Sequence, residues 1–563
     1  MARTAAVSRT LAPADNLLRF TSVNRQQPHT SRSASAQLMA EGLGHHQAGR
    51  LDRASALYLQ ALEVQSNDAD VMHLLGVLRR QQGSPVEAVE LISKAIAIRP
   101  DFPDAQCNLG VILRDLGRLA EAEASCRAAL RLRPDFPDAH NNLGVVLRDL
   151  GRPAEAEASY REALRLRPDF PDAHSNLGNA LYDLDRLVEA EASYREALRL
   201  RPDFPDAHSN LGGALYALCR PAEAAASYRE ALRLRSDSAE AHVGLGCSLL
   251  LAGRFEEGWK EFEWRWKTKQ QSGSARNFSA PLWGGEAIGG RIILLHAEQG
   301  LGDTLMFCRY VPLITAGARV VLEVQAPLVR LLARLPGIME IVARGDRLPS
   351  FDLHCPLMSL PRVFGTTLDT IPAATPYLAA DPARTADWRR RLSGLDGLRV
   401  GLVWAGGQHP NATVNRHRSI TLDTMAPLGD ASGASFISLQ KGEPATQTAN
   451  APGGMALHDF TADLGDFDDT AALIEALDLV ISVDTAIAHL AGALGKPIWL
   501  LNRFDTEWRW LVGRDDSPWY PHLRQFRQPA PGDWSNVIGA ARDALRRLAA
   551  GDRDQVRPHQ AKR

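Results

Sequence analysis

Asp135-Phe-Pro-Asp-Ala-His-Asn-Asn-Leu-Gly144, DFPDAHNNLG, decides how the first half of this chain folds. Its opening tetrapeptide, Asp-Phe-Pro-Asp, begins at Asp101, Asp135, Asp169 and Asp203, each 34 residues after the last. Weaker copies carry the register back through Asn67–Pro100 to about residue 33, and forward from Asp237 to near Gln270, about seven copies in all. Within one copy the apolar residues fall at helical spacing. Ala139, Leu143, Gly144 and Leu147 form one stripe, and Ala156, Tyr160, Ala163 and Leu164 form a second. Gly151 closes the first helix, and Pro153 opens the next at a first-turn position that needs no amide donor. One such hairpin cannot bury its stripe alone, but stacked copies can. Residues 33–270 therefore read as an all-α array of helical hairpins.

In its period, its Leu-Gly pair, the small Ala156 and the closing Pro168, the pattern resembles the tetratricopeptide repeat (TPR). In that family the first helix of each pair lines the concave face of a superhelix. Asn108, Asn142, Asn176 and Asn210 recur just before the Leu-Gly pair. The resemblance extends to the asparagine ladder of protein O-GlcNAc transferases, which implies a peptide groove for a protein partner. A side-chain amide both donates and accepts, so it can hold peptide backbone without reading side chains. The alternative is an asparagine repeated only because the units were duplicated. His140, His174 and His208 follow the same duplication and are not read as metal ligands. The last copy differs: Phe255, Trp259, Phe262 and Trp266 form an aromatic stripe that reads as a seam against a following domain.

The bulk properties narrow the function classes. A net charge of −2 gives no electrostatic case for nucleic acid or an anionic membrane. The six cysteines form no CxxC pair, which fits reduced thiols and a cytoplasmic location. No apolar run is long enough for a transmembrane segment. Residues 1–32, with five Arg, many Ser and Thr and the single acid Asp15, have the composition of a transit peptide or a disordered tail; the tail is the preferred reading, as it is for residues 551–563.

From Arg291 the texture changes to alternating strands and helices. Ile292–His296, Val320–Val324 and Ile338–Val342 read as strands of one half, spanning residues 271–385. Val400–Trp404, Phe436–Leu439, Leu479–Val483 and Ile498–Leu501 read as strands of a second half, spanning residues 386–550. Helices are expected over Thr304–Ala316, Pro327–Leu335, Asp469–Leu477, Ala486–Leu494 and Asn536–Leu548. This alternation predicts two parallel α/β halves facing a cleft, with ligands at the carboxyl ends of the strands.

Each half has one turn of chemical interest. In His296-Ala-Glu-Gln-Gly-Leu-Gly-Asp-Thr-Leu-Met-Phe307 a strand runs through Gly300 and Gly302 into a helix, with Asp303 and Thr304 at its start. Position 305 is Leu, which departs from a Gly-x-Gly-x-x-Gly fingerprint and argues against nicotinamide binding. In Ile481-Ser-Val-Asp-Thr-Ala-Ile-Ala-His489 a strand ends at Val483, Asp484 and Thr485 cap a helix, and the amides of Thr485, Ala486 and Ile487 face outward. A helix start of this kind suits a diphosphate. The alternative is a plain N-cap with His489 in the core.

Asp-Thr-x-x-x-His after a strand, followed by Leu-Ala-x-x-Leu-Gly-x-Pro, resembles glycosyltransferase family 9, the ADP-heptose transferases, and the Gly-Asp turn resembles that family's first turn. Trp508-Arg-Trp510 and Ser517-Pro-Trp-Tyr-Pro521 resemble bacterial repeat-containing glycosyltransferases. The implied fold is an all-α TPR superhelix followed by an α/β GT-B unit. The implied activity is metal-independent, inverting transfer from a nucleotide-sugar, with Asp303 as the base. Asp484, Thr485, Ala486, Ile487 and His489 would bind the donor, with Arg416 and Arg418 in the loop after Val400–Trp404 and Gln440 and Lys441 after Phe436–Leu439. No cofactor or metal is expected. The acceptor half lacks the basic residues that a phosphorylated lipid core would attract, so a protein held by the repeats is the expected acceptor. A non-catalytic scaffold and a glycan- or lipid-directed enzyme remain as alternatives.

Overall fold

The computed structural model of the chain describes residues 30–269, 276–407 and 412–558. The described residues divide into two compact units, one of residues up to 214 with 233–236, the other of 215–232 and 237 onward. Residues 270–275, and the expected tails up to residue 29 and from 559, lie outside the described residues. None of the described helices is long and apolar enough to cross a membrane.

The first unit is a run of helical hairpins, from Thr30–Gln47 through Leu187–Leu200. It begins inside the expected N-terminal tail, at Thr30. In the central copies each first helix opens on the second proline-flanked turn, at Pro103, Pro137 and Pro171. Helix pairs approach closely because the Leu-Gly glycine has no side chain. A Cβ at Gly144 would stand 2.6 Å from a Tyr160 ring carbon, and one at Gly178 2.5 Å from Tyr194. Phe136 and Phe170 are buried beneath arginines, with Arg133 4.5 Å above the Phe136 ring. The same Arg133 reaches back to Asp104, and Arg167 to Asp138, so each Asp-Phe-Pro-Asp loop is tied to the next. A second row, Arg80–Asp115, Arg114–Asp149 and Arg148–Asp183, joins consecutive copies.

The asparagine row corrects the sequence reading. Asn108, Asn176 and Asn210 are buried. The Asn176 amide donates to Asn141 Oδ1 at 3.0 Å, Asn142 donates to Cys107 Sγ at 3.2 Å, and Asn108 Nδ2 lies 2.7 Å from His73 Nε2. Each partner sits in the preceding copy. The amides of Asn108, Asn142 and Asn176 staple copies together, since a buried amide needs its hydrogen bonds met, and they are not a free ladder; Asn210, also buried, has no hydrogen-bond partner at either amide atom among the described residues.

In the second unit, the helix Phe255–Phe262 packs its aromatic stripe against the α/β region. Trp259 meets Trp508 edge-on at 5.3 Å, and its indole N–H donates to the Thr366 carbonyl at 3.1 Å. Phe255 stacks on Trp519. The stripe is a seam, as the sequence implies.

The α/β region holds two all-parallel sheets. The first contains β1 (Ile292–His296), β2 (Arg319–Val324), β3 (Ile338–Ala343) and β4 (Leu353–Pro356), in the order β3-β2-β1-β4. The second contains β5 (Leu398–Val403), β6 (Ala434–Ser438), β7 (Leu457–Asp459), β8 (Leu479–Val483), β9 (Ile498–Asn502) and β10 (Leu523–Arg527), in the order β10-β9-β8-β5-β6-β7. The expected helix Thr304–Ala316 is broken into Leu301–Phe307, a 3-10 turn and Val311–Thr315, because Pro312 supplies no amide hydrogen. The last helix runs Trp534–Ala549 over the second sheet's core. Beyond it the expected disordered tail folds back through a 3-10 turn, Arg553–Val556. The cause is hydrogen bonding: the Gln555 carbonyl accepts from the buried indole of Trp499 and from Arg524, both at 3.2 Å.

Candidate functional site

In an open parallel sheet, the crevice lies where neighbouring strands send their connections in opposite directions. In the first sheet that point is between β1 and β4, and in the second between β5 and β8. The Gly300–Asp303 turn leaves β1, and the Asp484–Ile487 turn leaves β8. Both turns thus stand at crossover points.

They also touch. A Cβ at Gly302 would lie 2.8 Å from His489 Cδ2 and 3.5 Å from Ala486 Cα, so only glycine fits without displacing the ring. The glycine admits a protein side chain here. His489 is buried, its Nδ1 is 2.9 Å from the Tyr520 hydroxyl, and its ring stacks on Trp510. Burial pushes its pKa down to about 3, helped by Arg509 and opposed by Glu507. The geometry makes His489 a neutral packing group that joins the two halves.

Asp303 has two partners. Its Oδ2 accepts from the Gly300 amide at 2.9 Å, as a residue in the first turn of a helix does, and its Oδ1 pairs with Arg509. Thr304 is buried, and its hydroxyl donates to Gln325 at 2.9 Å, so it anchors the turn. Arg509 lies in the 3-10 turn Trp508–Trp510 and bridges Asp303 and Glu507. Burial opposes its charge, yet Asp303 and Glu507 raise its pKa. Burial pushes Glu507 up, and the neighbouring Arg509 and Arg503 cations pull it down. For Asp484, burial and Glu507 raise the pKa against the pull of Arg503 and Arg418.

The helix Ala486–Ala493 starts at Thr485, in extended conformation, whose hydroxyl lies 3.0 Å from Ser482 Oγ. Thr485, Ala486 and Ile487 are half-buried at the helix start. Arg418 fills the space beside Gly406, where a Cβ would overlap its guanidinium, and it donates to Asn415 and the Gly407 carbonyl. Arg416 lies exposed two residues earlier in the same helix.

Two expected donor ligands turn out to be braces. Gln440 is buried, accepts from the amides of Trp404 and Ala405, and donates to the Ala405 and Lys441 carbonyls. Lys441 Nζ donates to the carbonyls of Thr461 and Leu464 at 2.7 and 2.9 Å. They fix the loops after β5 and β6. Sequence reasoning missed Arg503, Asp505, Glu507 and Arg509, since nothing local sets a loop arginine apart; the only signal was the quoted Trp-Arg-Trp triplet.

The family model for the tetratricopeptide repeat matches between residues 39 and 262 in six overlapping stretches. The model for glycosyltransferase family 9 (heptosyltransferase) matches residues 464–501, which span β8, the helix Ala486–Ala493 and most of β9. The protein FlbA of Caulobacter vibrioides is 29% identical over 330 residues, which are 54% of each chain. The chain thus spans about half the length of that curated relative. Among solved structures, pilF of Pseudomonas aeruginosa is 24% identical with a TM-score of 0.35, covering 38% of this chain and 97% of its own. A thermophilic TPR protein of Thermus thermophilus is 27% identical with a TM-score of 0.29, covering 32% and 99%. The chain carries an array of tetratricopeptide repeats followed by a parallel α/β region, GT-B-like in layout, with a stretch similar to glycosyltransferase family 9.

Proposed function

We propose that this protein transfers a glycosyl group from a nucleoside diphosphate sugar to a hydroxyl acceptor. The reading rests on one observation above the rest: the Asp303 and Asp484–Ile487 turns leave the crossover points of two sheets and meet at Gly302 and His489. The match to the family 9 model over the second turn supports it.

In this reading the donor's diphosphate lies at the start of Ala486–Ala493, where the helix end favours an anion. Asp303 takes the proton from the acceptor hydroxyl. That oxygen bonds to the anomeric carbon on the face opposite the diphosphate, the carbon–phosphate-oxygen bond breaks, and the nucleoside diphosphate leaves with the bonding electrons, so the configuration inverts. Nearby guanidinium groups and the helix end offset the leaving charge, so the scheme needs no metal. Arg509 orients the Asp303 carboxylate while its second oxygen is held by Gly300. The acceptor is a protein gripped by the repeats, which are commonly protein-binding surfaces. The six unpaired cysteines, five of them buried, fit a reducing cytoplasm.

Turnover of UDP-, ADP- and GDP-sugars, with nucleoside diphosphate affinity measured alongside, tests the reading. Asp303→Asn is expected to lower turnover by about 10²–10⁴-fold, the usual contribution of a general base, with affinity nearly unchanged. Wild-type turnover by that variant would remove Asp303 as the base. Absence of turnover for every donor would remove the enzymatic reading.

A further inference from the structure

Five arginines of the α/β region and the adjoining seam are buried among the described residues, and four have clear partners. Arg265 chelates Glu298 with two bonds of 3.0 Å and also reaches Glu263 and Ser359. Arg309 donates to the Met306 and Trp519 carbonyls and to the Tyr377 hydroxyl. Arg524 donates to the carbonyl and side chain of Gln555. Arg509 holds Asp303 and Glu507. Arg503 is different. Only 8% exposed, it has no hydrogen-bond partner at Nε or Nη1, and the Asp505 carboxylate stands 3.8 Å from Nε, at ion-pair distance.

A buried guanidinium short of acceptors is costly, because desolvation is not repaid by hydrogen bonds. Its place gives the reason. Arg503 follows β9 directly, and β9 lies beside β8, whose carboxyl end begins the Asp484–Ile487 turn. Burial works against the charge on Arg503, and Asp505, Asp484 and Glu507 more than offset it, so the group stays a cation beside that turn. The backbone around it is fixed: the Phe504 amide donates to Gln528 at 3.0 Å, and the Phe504 carbonyl accepts from the Cys219 thiol at 2.9 Å. A planar fork on a rigid loop, near a helix start, suits bidentate capture of a phosphate.

We propose that Arg503 is a direct ligand of the donor's diphosphate, completing the anion site begun by the first turn of Ala486–Ala493. The assignment rests on the nucleotide-sugar reading and adds a residue that lies beyond the stretch matched by the family 9 model. It also divides the work of two neighbouring arginines: Arg503 takes the ligand, and Arg509 holds Asp303.

The test is calorimetry with UDP, ADP, GDP and inorganic pyrophosphate on the full chain, with thermal unfolding of each variant run without ligand. Arg503→Gln is expected to weaken the best-bound probe by roughly 10–100-fold, the usual worth of a charge-assisted pair, while still unfolding in one cooperative transition without ligand. Arg503→Lys, which keeps the charge and loses the fork, is expected to fall between. Asp505→Asn, which removes the nearest competing carboxylate, is expected to tighten binding. Equal affinity in wild type and Arg503→Gln would overturn the assignment. Weaker binding by Asp505→Asn would count against it too. If wild type binds none of the four probes, the nucleotide-sugar reading itself fails.

Discussion

Charge is arranged in two different ways in this chain. In the repeat array it comes in pairs at a fixed period: Arg133, Arg167 and Arg201 each answer an aspartate of the preceding copy, and the pairs are partly exposed. Such pairs contribute about 0–1 kcal/mol each and tie loop to loop. In the α/β region it follows no period: Asp303 after β1, Asp484 after β8 and Arg503, Glu507 and Arg509 after β9 bring acids and arginines together from three segments. Periodic charge is explained by stacking alone. Charge held away from water is expensive, and the proposed function gives this cluster a reason.

Close-packed glycines sharpen the contrast, because the same substitution should have different consequences in the two places. Gly302→Val must displace His489 and so shift the Asp303 turn. A misplacement of about 1 Å at a reacting group can cost on the order of 10²-fold in rate, so donor turnover should fall at least that far. Gly144→Val meets the Tyr160 ring instead. It should cost about 1–3 kcal/mol of stability, as overpacking does, and leave hydrolysis of a small nucleotide-sugar unchanged. Parallel assays of turnover and unfolding decide this; equal loss of turnover in both variants would erase the distinction.

A smaller effect concerns acid. Burial pulls His489 and His296 down to about 3 and His73, in the array, down to about 4. The unfolded chain titrates histidine near about 6.5. Between these values the unfolded state binds the extra proton, so stability falls as pH drops through the unfolded pKa. Each histidine should remove about 1 kcal/mol between about pH 7.5 and 5.5. For His489 the neighbouring charges are Arg509 and Arg309, which deepen the shift, and Glu507, which opposes it. His489→Asn should flatten the melting-temperature profile over that window. A variant profile as steep as wild type would contradict the buried, neutral assignment.

Much of this architecture was legible in the residues. The 34-residue period predicts the hairpins, and β1 and β8 occupy the expected spans Ile292–His296 and Leu479–Val483. The strands that escaped notice, β4, β7 and β10, are sheet edges. Leu353-His-Cys-Pro356 and Leu523-Arg-Gln-Phe-Arg527 lack the apolar runs of central strands, yet both are largely buried, and the polar side chains of β10 find partners in distant segments. The two turns were visible because strand, glycine or cap, and helix follow one another locally. Arg509 was not, since its role depends on Asp303, 206 residues away in sequence. For the asparagine row the period was readable but the direction of the amides was not, because burial against the preceding copy is a tertiary fact.

The most direct test of the central claim is to locate a bound nucleotide. A photoreactive analogue of the best-bound nucleoside diphosphate, cross-linked to the full chain and mapped by mass spectrometry, should label peptides containing Asp484–Ile487 and Arg503. Competition by the unmodified nucleotide should remove the label. Specific labelling confined to the repeat array, or to the outer strands of either sheet, would contradict the account.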